Sequence, residues 1–146
     1  MTRGRFVSRR VAEEQSAQRK TLNELSGCVV DQAVKLHKEL GPGLLENVYE
    51  AILEKLLMDQ GLTVRRQVAV PIEHAGLHFK EGFRADLIVD DRIILEIKAV
   101  EQMSKAHQRQ LLTYLKLTGM KVGLLLNFGV ARMRDGICRV VNQFDE

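Results

Sequence analysis

The sequence predicts an α/β fold, and three changes of hydrophobic period predict it. Apolar residues first recur every three or four positions, from Leu22 to Leu57. From Leu62 to Ala99 they alternate with polar ones. A third helical stretch, Ser104 to Thr118, is then followed by the continuous apolar run Val122-Gly123-Leu124-Leu125-Leu126. Helical, strand and buried-strand patterns in that order describe helices packed on a sheet.

The first helix follows from Leu22, Leu25, Val29, Ala33, Leu36 and Leu40, one apolar stripe at steps of three and four. Gly41-Pro42-Gly43 ends it, because glycine accepts a left-handed cap and proline cannot continue a helix. A second helix is expected over about 44–60, with Val48, Ile52, Leu53, Leu56 and Leu57 buried and Gly61 as its cap. Residues 62–73 read as a strand whose Pro71 marks an edge or an end. His74-Ala75-Gly76-Leu77 is a turn, and strands follow over 77–89 and 92–99. Ser104 suits the N-cap of the third helix, and Gly119 closes it. Residues 121–127 form a strand buried on both faces, and 137–141 form a last short strand.

A chain of 146 residues is expected to be a single domain that buries a core without staples. No apolar run is long enough to span a membrane, and the basic start lacks the hydrophobic stretch of a secretory signal. Cys28 and Cys138 form no CxxC pair, so a reduced cytoplasmic chain with two buried thiols is expected. Charge is uneven. Arg3, Arg5, Arg9, Arg10, Arg19 and Lys20 against Glu13 and Glu14 give residues 1–20 a net +4, while the rest of the chain carries −1 of the total +3. Residues 1–20 are therefore read as a basic flexible tail and 21–146 as the folded domain. The tail is either an arm that touches nucleic acid or a solvated end.

The chemistry is concentrated in an acid, acid, lysine set. Asp86 is followed after nine residues by Glu96-Ile97-Lys98, then by Gln110 and Tyr114 on the third helix. Side chains alternate across a strand, so Glu96 and Lys98 share a face. Ala85, Leu87 and Val89 make one buried face with Ile93, Leu95 and Ile97 if Val89 pairs with Ile93, Leu87 with Leu95 and Ala85 with Ile97. That register needs the three-residue loop Asp90-Asp91-Arg92, and it sets Asp86 opposite Glu96 on the other face. A two-residue loop would bury Asp86 among apolar side chains. Neighbouring carboxylates repel; a cation with oxygen ligands, magnesium or manganese, relieves them. Lys98 is then placed to orient water or meet charge at phosphorus. Such a set suits metal-assisted phosphodiester hydrolysis.

Gln110 and Tyr114 lie four apart and share a helical face, which His107 extends. They are candidates for reaching phosphates, and each alone also fits a surface hydrogen bond. On the second helix Glu46, Tyr49 and Glu50 share a face. Glu46 is either a third carboxylate for the metal or a first-turn glutamate favoured by the helix dipole. His37, His74 and His78 lack partners at metal-ligand spacing and read as solvated or lightly packed.

These residues also match a known family. Gly43-Leu44-Leu45-Glu46-Asn47-Val48-Tyr49 is the signature of the GxxExxY protein family. The resemblance continues through residues 82–89, Leu95-Glu96-Ile97-Lys98-Ala99-Val100, residues 107–115 and residues 122–129. That family resembles a branch of the PD-(D/E)XK nuclease superfamily. The resemblance implies a restriction-endonuclease-like core, a central mixed β-sheet flanked by α-helices. It implies Asp86 and Glu96 as metal ligands, Lys98 as the catalytic lysine, Gln110 and Tyr114 as a QxxxY helix motif, and Glu46 as the upstream helix glutamate. Ala85 stands where the superfamily's name would place a proline.

The expected activity is a magnesium- or manganese-dependent nuclease acting on DNA. A homodimer is the expected assembly if both strands are cut. The competing expectation is a non-catalytic nucleic-acid or protein-interaction module on the same fold.

Overall fold

The computed structural model describes residues 19–143. Arg19 and Lys20 are the part of the expected basic tail that falls among them; residues 1–18 lie outside. Three helices and five strands follow in the order α1 (Leu22–Leu40), α2 (Glu46–Asp59), β1 (Val64–His74), β2 (Leu77–Val89), β3 (Ile93–Lys98), α3 (Lys105–Thr118), β4 (Val122–Asn127) and β5 (Ile137–Val141). A 3-10 turn, Met133–Gly136, precedes β5. The sheet runs β1-β2-β3-β4-β5. It is mixed, since β3 and β4 pair parallel across the α3 crossover while the other neighbours are antiparallel. No helix among the described residues is long and apolar enough to cross a membrane.

The ends of α1 and α3 are set by capping residues. Thr21 Oγ1 accepts the Glu24 N–H at 3.1 Å and satisfies one orphan donor of α1. Gly41, at φ 68°, follows its end. Gly119, at φ 75°, closes α3 in the left-handed conformation. The β2–β3 turn holds Asp90 and Asp91 at φ 51° and 53°, and the Arg92 N–H reaches the Val89 carbonyl at 2.9 Å. Aspartate tolerates that region better than most residues, which makes the three-residue loop feasible.

The core has two layers. Leu25, Val29, Ala33 and Leu36 of α1 and Leu53 and Leu57 of α2 pack with Leu87, Val89, Ile93, Leu95 and Ile97. On the other face Leu111 and Leu115 of α3 pack with Phe83, Ala85, Ile88, Ile94 and Leu125. Two expected core positions are open instead: Leu40 at the end of α1 and Val48 at the start of α2 are exposed. Cys28 and Cys138 are free and half-buried rather than fully buried. Pro71 sits in the edge strand β1, where the register shifts between Val70 and Ile72.

The carboxyl ends of β3 and β4 are tied by side chains. Asn127, almost wholly buried, accepts the Val100 and Gly129 N–H groups, each at 3.0 Å, and donates to the Val100 carbonyl at 2.9 Å. A Cβ on Gly129 would lie 2.5 Å from the Val100 carbonyl oxygen, so only glycine permits this approach. Tyr49 is fully buried and stacks on Phe128 at 4.5 Å. Its hydroxyl donates to the Gly41 carbonyl at 2.6 Å and accepts the Leu44 N–H at 3.2 Å. The tyrosine of the GxxExxY signature thus anchors the α1–α2 loop. His37 is buried as well, not solvated: its Nε2 lies 2.8 Å from the Val130 carbonyl.

Asn127→Ala would leave three half-buried backbone groups without their side-chain partner. We expect a loss of about 3 kcal/mol in urea unfolding, and a loss below about 1 kcal/mol would show that the tie contributes little.

Candidate active site

Asp86 sits where β2 changes its alternation. The β2–β3 ladder contains Val89↔Ile93, Ile88↔Ile94 and Leu87↔Leu95 and goes no further. The expected Ala85–Ile97 pair is absent. Ala85 instead joins Phe83 and Ile88 beneath α3, so it does not share the face of Leu87. The reason is local: Asp86 Oδ2 accepts the Ile97 N–H at 2.8 Å, replacing the next rung with a side chain. Opposite on β1, Gln67 is at φ 52°, a region costly for a residue with a Cβ.

Glu96 lies nine-tenths buried beside Asp86. Burial, the Asp86 charge and a hydrogen bond with the Asp86 side chain together push its carboxyl up to about 9, against the opposing pull of Lys98 and of an Asp86 backbone hydrogen bond. Its Oε1 is buried with no hydrogen-bond partner. Lys98 is half-buried at the end of β3, paired with Asn127 of β4.

From α3, Tyr114 stacks on Phe83 with centroids 3.8 Å apart and ring planes 3° from parallel. Burial raises its hydroxyl pKa, and the charges of Glu96 and Asp86 raise it further, while a hydrogen bond from the Gln110 side chain lowers it. Both acids therefore act on Tyr114 electrostatically, and Gln110 is exposed. His107 is used differently from the stripe expected of it: its Nδ1 accepts the Ser104 N–H at 3.4 Å, a weak cap at the start of α3.

Glu46 is exposed at the first position of α2. No hydrogen bond or ion pair joins it to the other acids among the described residues. Glu50, one turn on, is the acid of α2 that reaches the group. It is buried; Oε2 accepts Arg66 Nε at 2.6 Å, and Oε1 accepts Gln67 Nε2 at 2.8 Å. The same Gln67 amide lies 3.3 Å from Asp86 Oδ1. Burial raises the Glu50 pKa, Arg66 opposes that rise, and the Asp86 charge adds to it. Helical spacing puts Glu50 on the Glu46 face, which is the signal that could have found it. Nothing in the sequence pattern marks Arg66 or Gln67.

A model of the PD-(D/E)XK nuclease superfamily matches residues 23–140. The chain belongs to that superfamily. No curated protein matches it. Among solved structures the crystal structure of SSO0001 is similar, at 21% identity and a TM-score of 0.49, over 97% of this chain and 79% of that one. Members of the PD-(D/E)XK superfamily are typically nucleases that use divalent metals. No three His, Cys, Asp or Glu side chains converge on a metal-sized point among the described residues. The Asp86–Glu96 pair nevertheless fits a hard cation in kind: both donors are oxygens, and Glu96 Oε1 lacks any partner. Asp86 spends two of about four lone-pair positions on Ile97 and Gln67, which leaves room for a cation.

Glu96 has a consequence for stability in the metal-free protein. Its folded pKa, about 9, lies above the ordinary 4.5. Between those values the unfolded chain is ionised while the folded chain holds a proton, so stability falls as pH rises through the window. We expect urea midpoints in EDTA to fall between pH 5 and pH 8, and Glu96→Gln to flatten that slope by up to about 1.4 kcal/mol per pH unit. An unchanged slope in the variant would remove Glu96 as its source.

Proposed function

We propose that the protein is a divalent-metal-dependent nuclease that hydrolyses phosphodiester bonds in DNA, with magnesium or manganese as cofactor, and that it belongs to the GxxExxY branch of the superfamily. The observation that carries this reading is a buried glutamate with an unpartnered oxygen, in contact with a second carboxylate and followed on its own face by a lysine. A burial this costly to a carboxylate is understandable if the site is completed by a cation.

Asp86 and Glu96 would hold the metal, which when bound supplies Lewis-acid polarisation of the phosphate and charge neutralisation. Lys98, half-buried beside them, orients the attacking water and meets negative charge as it develops on phosphorus. Water adds its oxygen to phosphorus, the strand's phosphorus–oxygen bond breaks, and the water's proton is finally carried by the leaving oxygen. Tyr114 is held by Phe83 and Gln110 where it can donate to a phosphate oxygen, and exposed Gln110 is within reach of the same strand. The third carboxylate is Glu46 or Glu50. Glu46 is exposed and unengaged; Glu50 is already linked to Asp86 through Gln67. Cutting both strands of a duplex would call on two copies of this single site.

The decisive test is cleavage of DNA and RNA, linear, circular and single-stranded, in magnesium, manganese or EDTA. Asp86→Ala or Glu96→Ala is expected to abolish metal-dependent cutting while the chain stays folded. Cutting that survives both would sink the site. Lys98→Ala is expected to lower kcat about 100-fold or more with little change in metal affinity. A loss confined to metal affinity would reassign the lysine.

The two glutamates of α2 can be separated in the same assay. Glu50→Gln is expected to weaken the metal requirement curve at least about tenfold, as loss of a supporting partner does, and Glu46→Gln to move it less. The reverse order would return the third carboxylate to Glu46.

A further inference from the structure

A second feature lies on the α1 side of the sheet, away from the face that carries α3. A cleft of about 510 Å³ opens between the end of α1 and the segment that leads from β4 into β5. Its floor and walls include Val34, buried His37, Pro42 and buried Met133. Lys38, Arg132 and Arg134 also line it, all exposed, and no acidic side chain does. Three cations gathered in one cleft repel one another and attract a polyanion. The cleft is held open by contacts already described: His37 meets the Val130 carbonyl, and Tyr49 fixes Gly41 beside Pro42.

A second cleft adjoins it. Pro42 also lines this second cleft, of about 320 Å³, together with Gly43, Leu44, Ala99, Val100, Glu101 and Gly129. Ala99 and Val100 directly follow Lys98. The two clefts share Pro42, and the second is bordered by the residues that follow β3.

We infer that this groove, the cleft of Lys38, Arg132 and Arg134, is a second nucleic-acid site, which takes a single strand. The inference rests on the nucleic-acid reading above and adds a substrate class to it. Backbone phosphates meet Lys38, Arg132 and Arg134. A base freed from its complement lies on the apolar floor of Val34, Pro42 and Met133, as bases lie on apolar and aromatic surfaces in single-strand binding. A duplex holds its bases paired and stacked, and has none to place on that floor. A free nucleotide offers the same phosphate and base, and the experiment separates the two.

The full chain carrying Glu96→Gln, which is not expected to cut, would be titrated with a labelled 20-nucleotide single strand, its duplex and a mononucleotide at several salt concentrations. The comparison protein adds Lys38→Glu, Arg132→Glu and Arg134→Glu, and a charge-matched control adds Lys55→Glu, Lys80→Glu and Lys121→Glu. Circular dichroism and melting establish that each is folded. If the triple reversal does not fold, the single changes Arg132→Ala and Arg134→Ala are compared in its place. The groove reversal is expected to weaken single-strand binding at least about tenfold more than the control. It should also lower the slope of log affinity against log salt by about 2, near 0.7 for each lost phosphate contact. Duplex binding should fall less. Equal effects of groove and control reversals, an equal loss for duplex and single strand, binding of the mononucleotide alone, or no binding of the single strand by the parent would each overturn the inference. Loss of single-strand binding in the groove variant, when the wild-type chain cuts no DNA in magnesium or manganese, would uphold the groove and sink the nuclease reading instead.

Discussion

The hydrogen bond from the Ile97 N–H to Asp86 Oδ2, at 2.8 Å, is the contact on which the site's form depends. A backbone donor at a sheet interior needs an acceptor. Here a side chain supplies it, and the β2–β3 ladder stops at Leu87 and Leu95. With the rung gone, β2 is free to change its alternation, and Phe83 and Ala85 pass to the α3 side. Phe83 then becomes the plate on which Tyr114 stacks. One carboxylate therefore ends a ladder, turns a strand and positions an aromatic ring from another element. It also comes to rest against Glu96, the one acid among the described residues with a buried, unpartnered oxygen.

The ends of β3 and β4 supply the rigidity this arrangement needs. Parallel strands leave their carboxyl ends side by side, here Lys98 beside Asn127. Asn127 clamps both backbone groups of Val100, and the Phe128 N–H reaches the Lys98 carbonyl at 2.8 Å. Phe128 in turn stacks on Tyr49, whose hydroxyl holds the Gly41–Leu44 loop. Lys98 is thus set by backbone on both sides, and α2 is docked through the same stack. The tyrosine of the signature serves positioning, while its neighbour Glu50 faces the acids.

Much of this was readable in the sequence because period and punctuation agree. The 3.6 period, the cap glycines and the switch to alternation place α1, α3 and every strand within two residues, and the apolar match of Val89 with Ile93 and Leu87 with Leu95 fixes the register. The pattern fails at Ala85, since alternation assumes an unbroken pleat and a side chain that caps a backbone donor leaves no periodic trace. It fails at Leu40 and Val48, since period shows which stripe is apolar but not which of its residues is covered. Asp86, Glu96, Lys98, Gln110 and Tyr114 stand out because their types and spacing are unusual on those elements. Arg66 and Gln67 do not, because an exposed-looking strand residue gains meaning only from what lies across the fold.

Those two residues change how the acids are understood. Glu50, Asp86 and Glu96 are near neighbours, yet their charges are met in graded fashion. Glu50 has a guanidinium and an amide. Asp86 has a backbone N–H and a share of that same amide. Glu96 has an unpartnered oxygen, and its proton is held up to about pH 9. Attraction for a cation grows where negative charge is least compensated, so the gradient runs from Glu50 toward Glu96 and Lys98. Gln67 keeps its unfavourable backbone conformation at the midpoint of that gradient, its carbonyl held by Arg84 at 2.9 Å. Because its amide is neutral, it can bond two carboxylates at once without discharging either, which a lysine or arginine there would do. The polar network thus leaves Glu96 with an oxygen that no side chain meets, at the end of the acid cluster where Lys98 follows.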